Sequence, residues 1–152
     1  MQKKKYSIIL AILFVMIVAS PSFSYVEVKI KPAEKISTSN PDVQEGNFAN
    51  FIVAENVFYK NKLTIKKGTP VQGLITYVEH NGFGGQNAKI TIEQFEVVDV
   101  SDRKLKLTGS VFKSGAAHEG FLEFLPLEWA RGGEVQIKPS KDSFKLFLKE
   151  NL

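Results

Sequence analysis

The stretch Ile90-Thr91-Ile92-Glu93-Gln94-Phe95-Glu96-Val97-Val98-Asp99-Val100-Ser101-Asp102-Arg103-Lys104-Leu105-Lys106-Leu107 decides the fold class. Ile90 and Ile92 alternate with Thr91 and Glu93, and Phe95 and Val97 alternate with Glu96 and Val98. A period of two marks a strand with one buried face. The apolar phase slips between Ile92 and Phe95, and one extra residue in a β-bulge absorbs such a slip. Ser101-Asp102-Arg103-Lys104 is a short polar turn into Leu105, Leu107 and Val111. The spacing therefore predicts a β-hairpin.

The same pattern extends in both directions. Val71 to Val78 reads as a strand interrupted by Gly73, a position for a bulge or a close backbone contact. Lys66-Lys67-Gly68-Thr69-Pro70 is the turn before it, and Leu63 and Ile65 precede that turn. Lys60-Asn61-Lys62 predicts a tight turn, because Asn tolerates left-handed backbone. Phe51, Val53, Val57 and Tyr59 share an alternating face, with Glu55 as its polar exception. On the other side, Val135 and Ile137 form a short strand, and Phe144, Leu146 and Leu148 a last one. The segments Ile65–Ile75 and Ile137–Phe147 both read as strand, Lys-containing turn, strand, a reuse of one hairpin type. With no convincing amphipathic helix, the expectation is an all-β chain forming a small antiparallel β-barrel or sandwich.

The chain has 152 residues, 43% of them hydrophobic, with 12 Phe and no Cys. That is enough for one domain with a hydrophobic core, and it argues against disorder. Without Cys there is no disulfide framework, no thiolate metal site and no Cys nucleophile. At the start, Lys3, Lys4 and Lys5 precede a 12-residue apolar run from Ile8 to Ala19, then Ser20, Pro21 and the small-x-small triplet Ser22-Phe23-Ser24. This is the layout of a secretory signal peptide. A membrane-spanning helix needs about 20 apolar residues, so the run is short for a permanent anchor. Residues 1–24 are expected to be a signal peptide cleaved after Ser24, the alternative being an uncleaved N-terminal anchor. In both cases the remainder is exported, to the periplasm, the cell envelope or the medium. The three lysines of the signal leave 17 positive against 16 negative charges in the remainder, so the basic character gives no evidence for an acidic partner.

Tyr25 to Ile30 alternates as a strand, with Val26, Val28 and Ile30 on one face. From Lys31 to Asn47 the composition turns polar, with Pro32, Pro41 and Gly46. Residues 25–46 thus read as a strand and polar linker, and residues 47–152 as the barrel or sandwich domain.

Candidate chemistry is sparse. His80 and His118 each stand beside a Glu, Glu79 and Glu119, but zinc requires three or four converging ligands, and the pairs read as solvated loop residues. Gly82-Phe83-Gly84-Gly85 lacks a following helix and a Gly-Lys-Ser/Thr ending, so it reads as a loop between strands rather than a phosphate cradle. Phe83, at its apex, is either folded back or a contact residue. Glu93 and Glu96 read as a solvated strand face rather than a glycosidase pair. No Gly-x-Ser-x-Gly elbow is present. Lys60, Lys62, Lys66 and Lys67 read as the blunting of an edge strand. Nucleic-acid binding lacks interleaved aromatic and Arg residues. Phe121 to Trp129 is apolar on both alternating faces and admits two readings: a segment buried on both sides, or a partner surface. It reads either as a short strand or as a loop leading into a helical turn at Pro126. Phe83, Phe121, Phe124 and Trp129 are the possible partner contacts; no catalytic, metal or cofactor residues are assigned.

The order of signals from Ile65-Lys66-Lys67-Gly68-Thr69-Pro70-Val71-Gln72-Gly73, through the Gly82–Gly85 loop and the strand from Ala88 to Val100, to Gly132-Gly133-Glu134-Val135-Gln136-Ile137-Lys138-Pro139 resembles small β domains of bacterial envelope proteins. Distantly, these include the C-terminal β-barrel domain of TrbI-like conjugation-channel proteins. The resemblance covers about half the chain. It implies a β-barrel in an envelope setting, and it carries over no functional residue. The sequence departs from the channel proteins in lacking a long Pro-rich spacer and a durable inner-membrane span. The leading expectation is an exported, non-enzymatic envelope protein acting as a structural or assembly β module, with an envelope protein as partner. The runner-up is a glycan or small-ligand binding module. An exported hydrolase stands third, requiring a cleft with converging carboxylates or histidines. No cofactor is expected, and contact with a membrane is expected only through the signal segment before cleavage.

Overall fold

The computed structural model describes residues 25–116 and 132–149. Residues 1–24, expected to be a signal peptide, and the residues His118, Glu119, Phe121, Phe124 and Trp129 lie outside the described residues. The described chain is all β, with the strands β1 (Tyr25–Pro32), β2 (Ile36–Ser37), β3 (Phe48–Val53), β4 (Val57–Tyr59), β5 (Lys62–Ile65), β6 (Pro70–Glu79), β7 (Lys89–Val98), β8 (Lys104–Thr108), β9 (Val111–Ser114), β10 (Gln136–Ile137) and β11 (Phe144–Lys149). Of the two architectures expected, the protein has the barrel. Six antiparallel strands run β6-β3-β1-β11-β8-β7, and β6 pairs again with β7 to close the ring. The seventh strand, β9, continues the path of β8 along β7 after a break at Gly109 and Ser110: β8 covers the Phe95–Val98 end of β7, and β9 covers Lys89–Ile92. Closure removes the sheet edges that would otherwise template aggregation.

The interior is filled by the alternating residues, among them Val28 and Ile30 from β1, Phe51 and Val53 from β3, and Leu146 and Leu148 from β11. Phe51 sits at its centre, edge-on to Phe95 at 5.5 Å and to Phe144 at 6.3 Å. Each of these fully buried side chains contributes about 1.5–3 kcal/mol of hydrophobic stabilisation before entropy is counted.

The phase slip in β7 is a bulge. The register runs Gln72↔Glu96 and then Leu74↔Glu93, so β7 holds one residue more than β6, and Gln94 takes a φ of 51°. The extra residue lets Ile90, Ile92, Phe95 and Val97 all face inward. A second irregularity follows in β6, where Ile75↔Ile92 gives way to Tyr77↔Thr91. The turn at Lys60 and Asn61 has both residues in the left-handed region, with φ of 48° and 61°. That is the type I′ pattern of a two-residue hairpin.

Three expectations are corrected. The barrel does not begin near Gly46: Tyr25–Pro32 is one of its staves, paired with β11 from Tyr25↔Lys149 to Ile30↔Phe144 and with β3 at its other end. Nor is the stretch after β1 a bare linker. Ile36, Ser37, Thr38 and Val43 are buried, and β2 pairs with β10. A strand of two residues is too short to show alternation, and isolated apolar residues in a polar stretch carry no period to read. The face shared by Phe51, Val53, Val57 and Tyr59 is likewise not one strand. The chain leaves the barrel at Ala54–Asn56, and β4 pairs with β5 in a separate two-stranded sheet.

Candidate functional site

The register separates two ends of the barrel. At one end lie Ile52, Pro70, Val98 and Lys104, next to the turns of residues 66–69 and 99–103. At the other, Glu79 faces Lys89, and Lys89 faces Ser114, below the Gly-rich loop.

The Gly-rich loop is tied at its base. Lys89 Nζ donates to Glu79 Oε2 at 2.9 Å, Gln86 Nε2 to Glu79 Oε1 at 2.7 Å, and Tyr77 Oη to Glu79 Oε2 at 3.1 Å. Hydrogen bonds from Lys89, Gln86 and Tyr77 hold the Glu79 carboxyl down at about 2. The same contact raises the Tyr77 phenol and the Lys89 ammonium above their ordinary values. At the tip, Gly84 and Gly85 take φ of 75° and 78°, and Phe83 is 78% exposed. Two successive left-handed residues are accessible to Gly without steric cost. Phe83 is therefore not folded back onto the barrel.

The chain leaves the described barrel at Ala116 and re-enters at Gly132 beside this same loop. Gly132 N–H donates to the Gly82 carbonyl, Asn81 Nδ2 to the Gly132 carbonyl at 2.8 Å, and Gly133 N–H to Asn87 Oδ1 at 2.8 Å. Ala88 N–H donates to the Gly133 carbonyl, and Gly115 N–H to the Ala88 carbonyl. Gly132 and Gly133 are buried with the Gln86 and Ala116 backbones against them, which leaves no room for a side chain. His80 Nδ1 donates to the Thr38 carbonyl at 2.9 Å, and Ser37 Oγ donates to Glu134 Oε1. His80 thus serves the loop structurally. Among the described residues no group of three or more His, Asp or Glu converges to hold a metal ion.

Beside the loop, on the outer wall, the pairings Tyr77↔Thr91 and Thr91↔Phe112 place two aromatic side chains on either side of Thr91. Tyr77 is 44% and Phe112 61% exposed. With strands about 4.8 Å apart, their backbones stand about 10 Å from each other. Neither residue is singled out by the sequence, because an outward Phe in one strand acquires meaning only from its cross-strand partner. Glu93 and Glu96 flank the Gln94 bulge. Glu93 accepts from Thr76 Oγ1 at 3.2 Å, and Glu96 is exposed, as a strand face requires.

At the opposite end, the Asp99 carboxylate organises the β7–β8 turn. It is buried, and it accepts from the N–H groups of Ser101 at 2.8 Å and Arg103 at 2.9 Å and from Arg103 Nε at 2.8 Å and Nη2 at 2.7 Å. The Arg103 and Ser101 backbone N–H groups, with the Arg103 side chain, hold this carboxyl below its ordinary value against the opposing effect of burial. Val100 N–H donates to the Thr64 carbonyl and ties this turn to β5. A shallow groove of about 400 Å³ runs between them, lined by Tyr59, Lys62, Leu63, Thr64, Ser101 and Arg103 among others.

No protein-family model matches the chain, and neither a curated protein nor a solved structure matches it.

Proposed function

We propose that the protein is an exported, non-enzymatic module of the bacterial cell envelope, with a structural or assembly role, which contacts its partner through the Gly-rich-loop end of the barrel. The observation that carries this reading is Phe83: a large aromatic side chain held out from a loop whose base is fixed by the Glu79–Lys89–Gln86 bonds. Aromatic side chains on a prearranged backbone suit interface anchors, because little ordering entropy is lost on binding. The export layout of residues 1–24 suits a compartment outside the cytoplasm. The turn from Ile65 to Gly73, on which the resemblance to TrbI-like β-barrel domains rests, leads from β5 into barrel strand β6. Kinship with those envelope domains is part of the same proposal. The test is site-specific photo-crosslinking in intact cells, with a photoreactive amino acid at Phe83 and, as a control, at Thr108 on the wall. A discrete crosslinked envelope protein from position 83 alone supports the proposal. Equal or absent crosslinking at both positions, or recovery of the full product in the cytoplasmic fraction, rejects it.

A second reading is favoured by the Tyr77–Thr91–Phe112 row. Two exposed rings on strands whose backbones stand about 10 Å apart, bordered by the Glu79 and Lys89 heads, suit stacking on a glycan chain with hydrogen bonds to its hydroxyls. Loss of glycan-array binding in Phe112→Ser and Tyr77→Ser, with Phe83→Ser unaffected, would select this reading over the first.

A further inference from the structure

We infer that the end of the barrel opposite the Gly-rich loop docks onto an anionic lipid surface. Three turns meet there: the β4–β5 hairpin, the turn of residues 66–69 and the β7–β8 turn. Together they present Lys60, Lys62, Lys66, Lys67, Arg103 and Lys104, all exposed. Lys60 Nζ lies 4.7 Å over the Tyr59 ring, and Lys67 N–H donates to Asn56 Oδ1, which fixes the turn of residues 66–69 beside β4. The negative charges of this end are largely engaged. Asp99 is buried under Arg103, and Glu55 pairs with Lys29 at 3.3 Å, leaving Asp102 exposed at the turn. The opposite end mixes signs, with Glu79 paired to Lys89 and Asp142 to Lys113, so the run of six exposed cations belongs to this end alone although the chain after residue 24 is nearly neutral.

Charge alone would suit any polyanion. The second observation is apolar: Phe58 is 57%, Val100 52% and Val98 40% exposed at this same end. Phe58 stands opposite Leu63 in the hairpin, Val98 opposite Lys104, and Val100 is tied to β5 through Thr64. Apolar tips ringed by cations are the pattern of an interfacial contact, in which the apolar groups enter the headgroup boundary while the cations meet anionic lipids. A soluble acidic polymer would make no use of Phe58. In sequence the four lysines suggested only the blunting of an edge. Their convergence with Arg103, Lys104 and the exposed apolar residues is a property of the fold.

The absence of Cys makes the test clean, since one introduced thiol is the only labelling site. An environment-sensitive fluorophore is attached to the full chain at Ser101→Cys, or at Phe83→Cys on the opposite end. Each is mixed with vesicles of phosphatidylcholine alone or of phosphatidylcholine with phosphatidylglycerol. Because β1 begins at this same end, charge reversal at Lys66 and Lys67, rather than the probe's position, separates docking of this face from partitioning of the N-terminal apolar run. The expected result is a blue-shifted, brighter emission from position 101 on anionic vesicles only, suppressed by high salt, with no response from position 83. Lys66→Glu with Lys67→Glu should raise the lipid concentration needed for half of the signal at least about tenfold, and Phe58→Ser should diminish the blue shift. Equal responses on both vesicle types, or at both positions, overturn the inference. So does an unchanged vesicle response in Phe58→Ser together with dextran-sulfate binding that quenches the same probe, which would point to a soluble polyanion.

Discussion

Gly73 lies directly against the ring of Phe95 across the β6–β7 pair. A Cβ at position 73 would stand 2.7 Å from Phe95 Cδ1 and 2.8 Å from Ile92 Cγ2, with Phe95 Cε1 nearer still. Phe95 and Ile92 are fully buried and have no free direction in which to retreat. Gly73→Ala is therefore expected to destabilise the barrel by about 1–3 kcal/mol, the cost of overpacking a filled core. In urea denaturation, Phe95→Leu should recover part of that loss in the double variant, although it is destabilising alone. Strict additivity of the two would show that they do not collide.

The bulge at Gln94 makes a prediction of opposite sign. Its φ of 51° is strained for a side-chain-bearing residue and costs nothing special for Gly. Gln94→Gly should leave stability unchanged or raise it, and Gln94→Val should lower it by about 1 kcal/mol or more. Thermal unfolding of the pair distinguishes this from an ordinary exposed strand position, where Val would be the better residue.

Asp99 gives the acid response of the β7–β8 turn. Its folded carboxyl lies below the ordinary value of 3.8. The stability it contributes is therefore complete above that value and is lost as pH falls through the lower folded one. Asp99→Ala removes the acceptor for two backbone N–H groups and the Arg103 side chain, and should cost about 1.5–3 kcal/mol at neutral pH. The deficit relative to the parent should shrink on acidification. A deficit independent of pH would mean that the charge is not what organises the turn.

Glu79 should titrate at about 2 rather than at its ordinary 4.5, read by carbon-detected NMR of its carboxyl. What its charge contributes is present above 4.5 and disappears as pH falls through about 2. Lys89→Met removes the first of its donors and should return the titration toward the ordinary range. Faster amide exchange in residues 80–88 should follow, because the loop then loses the bridge at its base. Tyr77 and Lys89 are raised, so their share persists through neutral pH and is lost only in alkali, as pH rises through their folded values.

The elements read correctly in sequence are those in which one face is buried over several residues. β7, β8, β6 and β11 all show their alternation, and even the β7 bulge announces itself as a lost beat between Ile92 and Phe95. Where burial is solitary, as for Ile36 and Val43, there is no beat to lose, and the stretch after β1 read as linker. The candidate contact surfaces were legible only in part. Phe83 stood out because a Phe between glycines has no strand to join. Tyr77 and Phe112 did not, because what joins them is Thr91, a neighbour set by register and not by sequence distance. The meeting of Lys66 and Lys67 with Arg103 depends in the same way on barrel closure.

The pairing of β1 with β11 constrains when the protein can fold. Lys145 and Glu27, bridged at 3.1 Å, are 118 residues apart in the chain. β1 lies in the closed ring between β11 and β3, so the ring stays open until the last strand arrives. A chain synthesised one residue at a time holds an unsealed sheet until β11 has emerged. Contacts of such long sequence range also put folding on the slow side, in milliseconds to seconds. Ring closure thus waits on β11, a kinetic delay written into the topology rather than into any single residue.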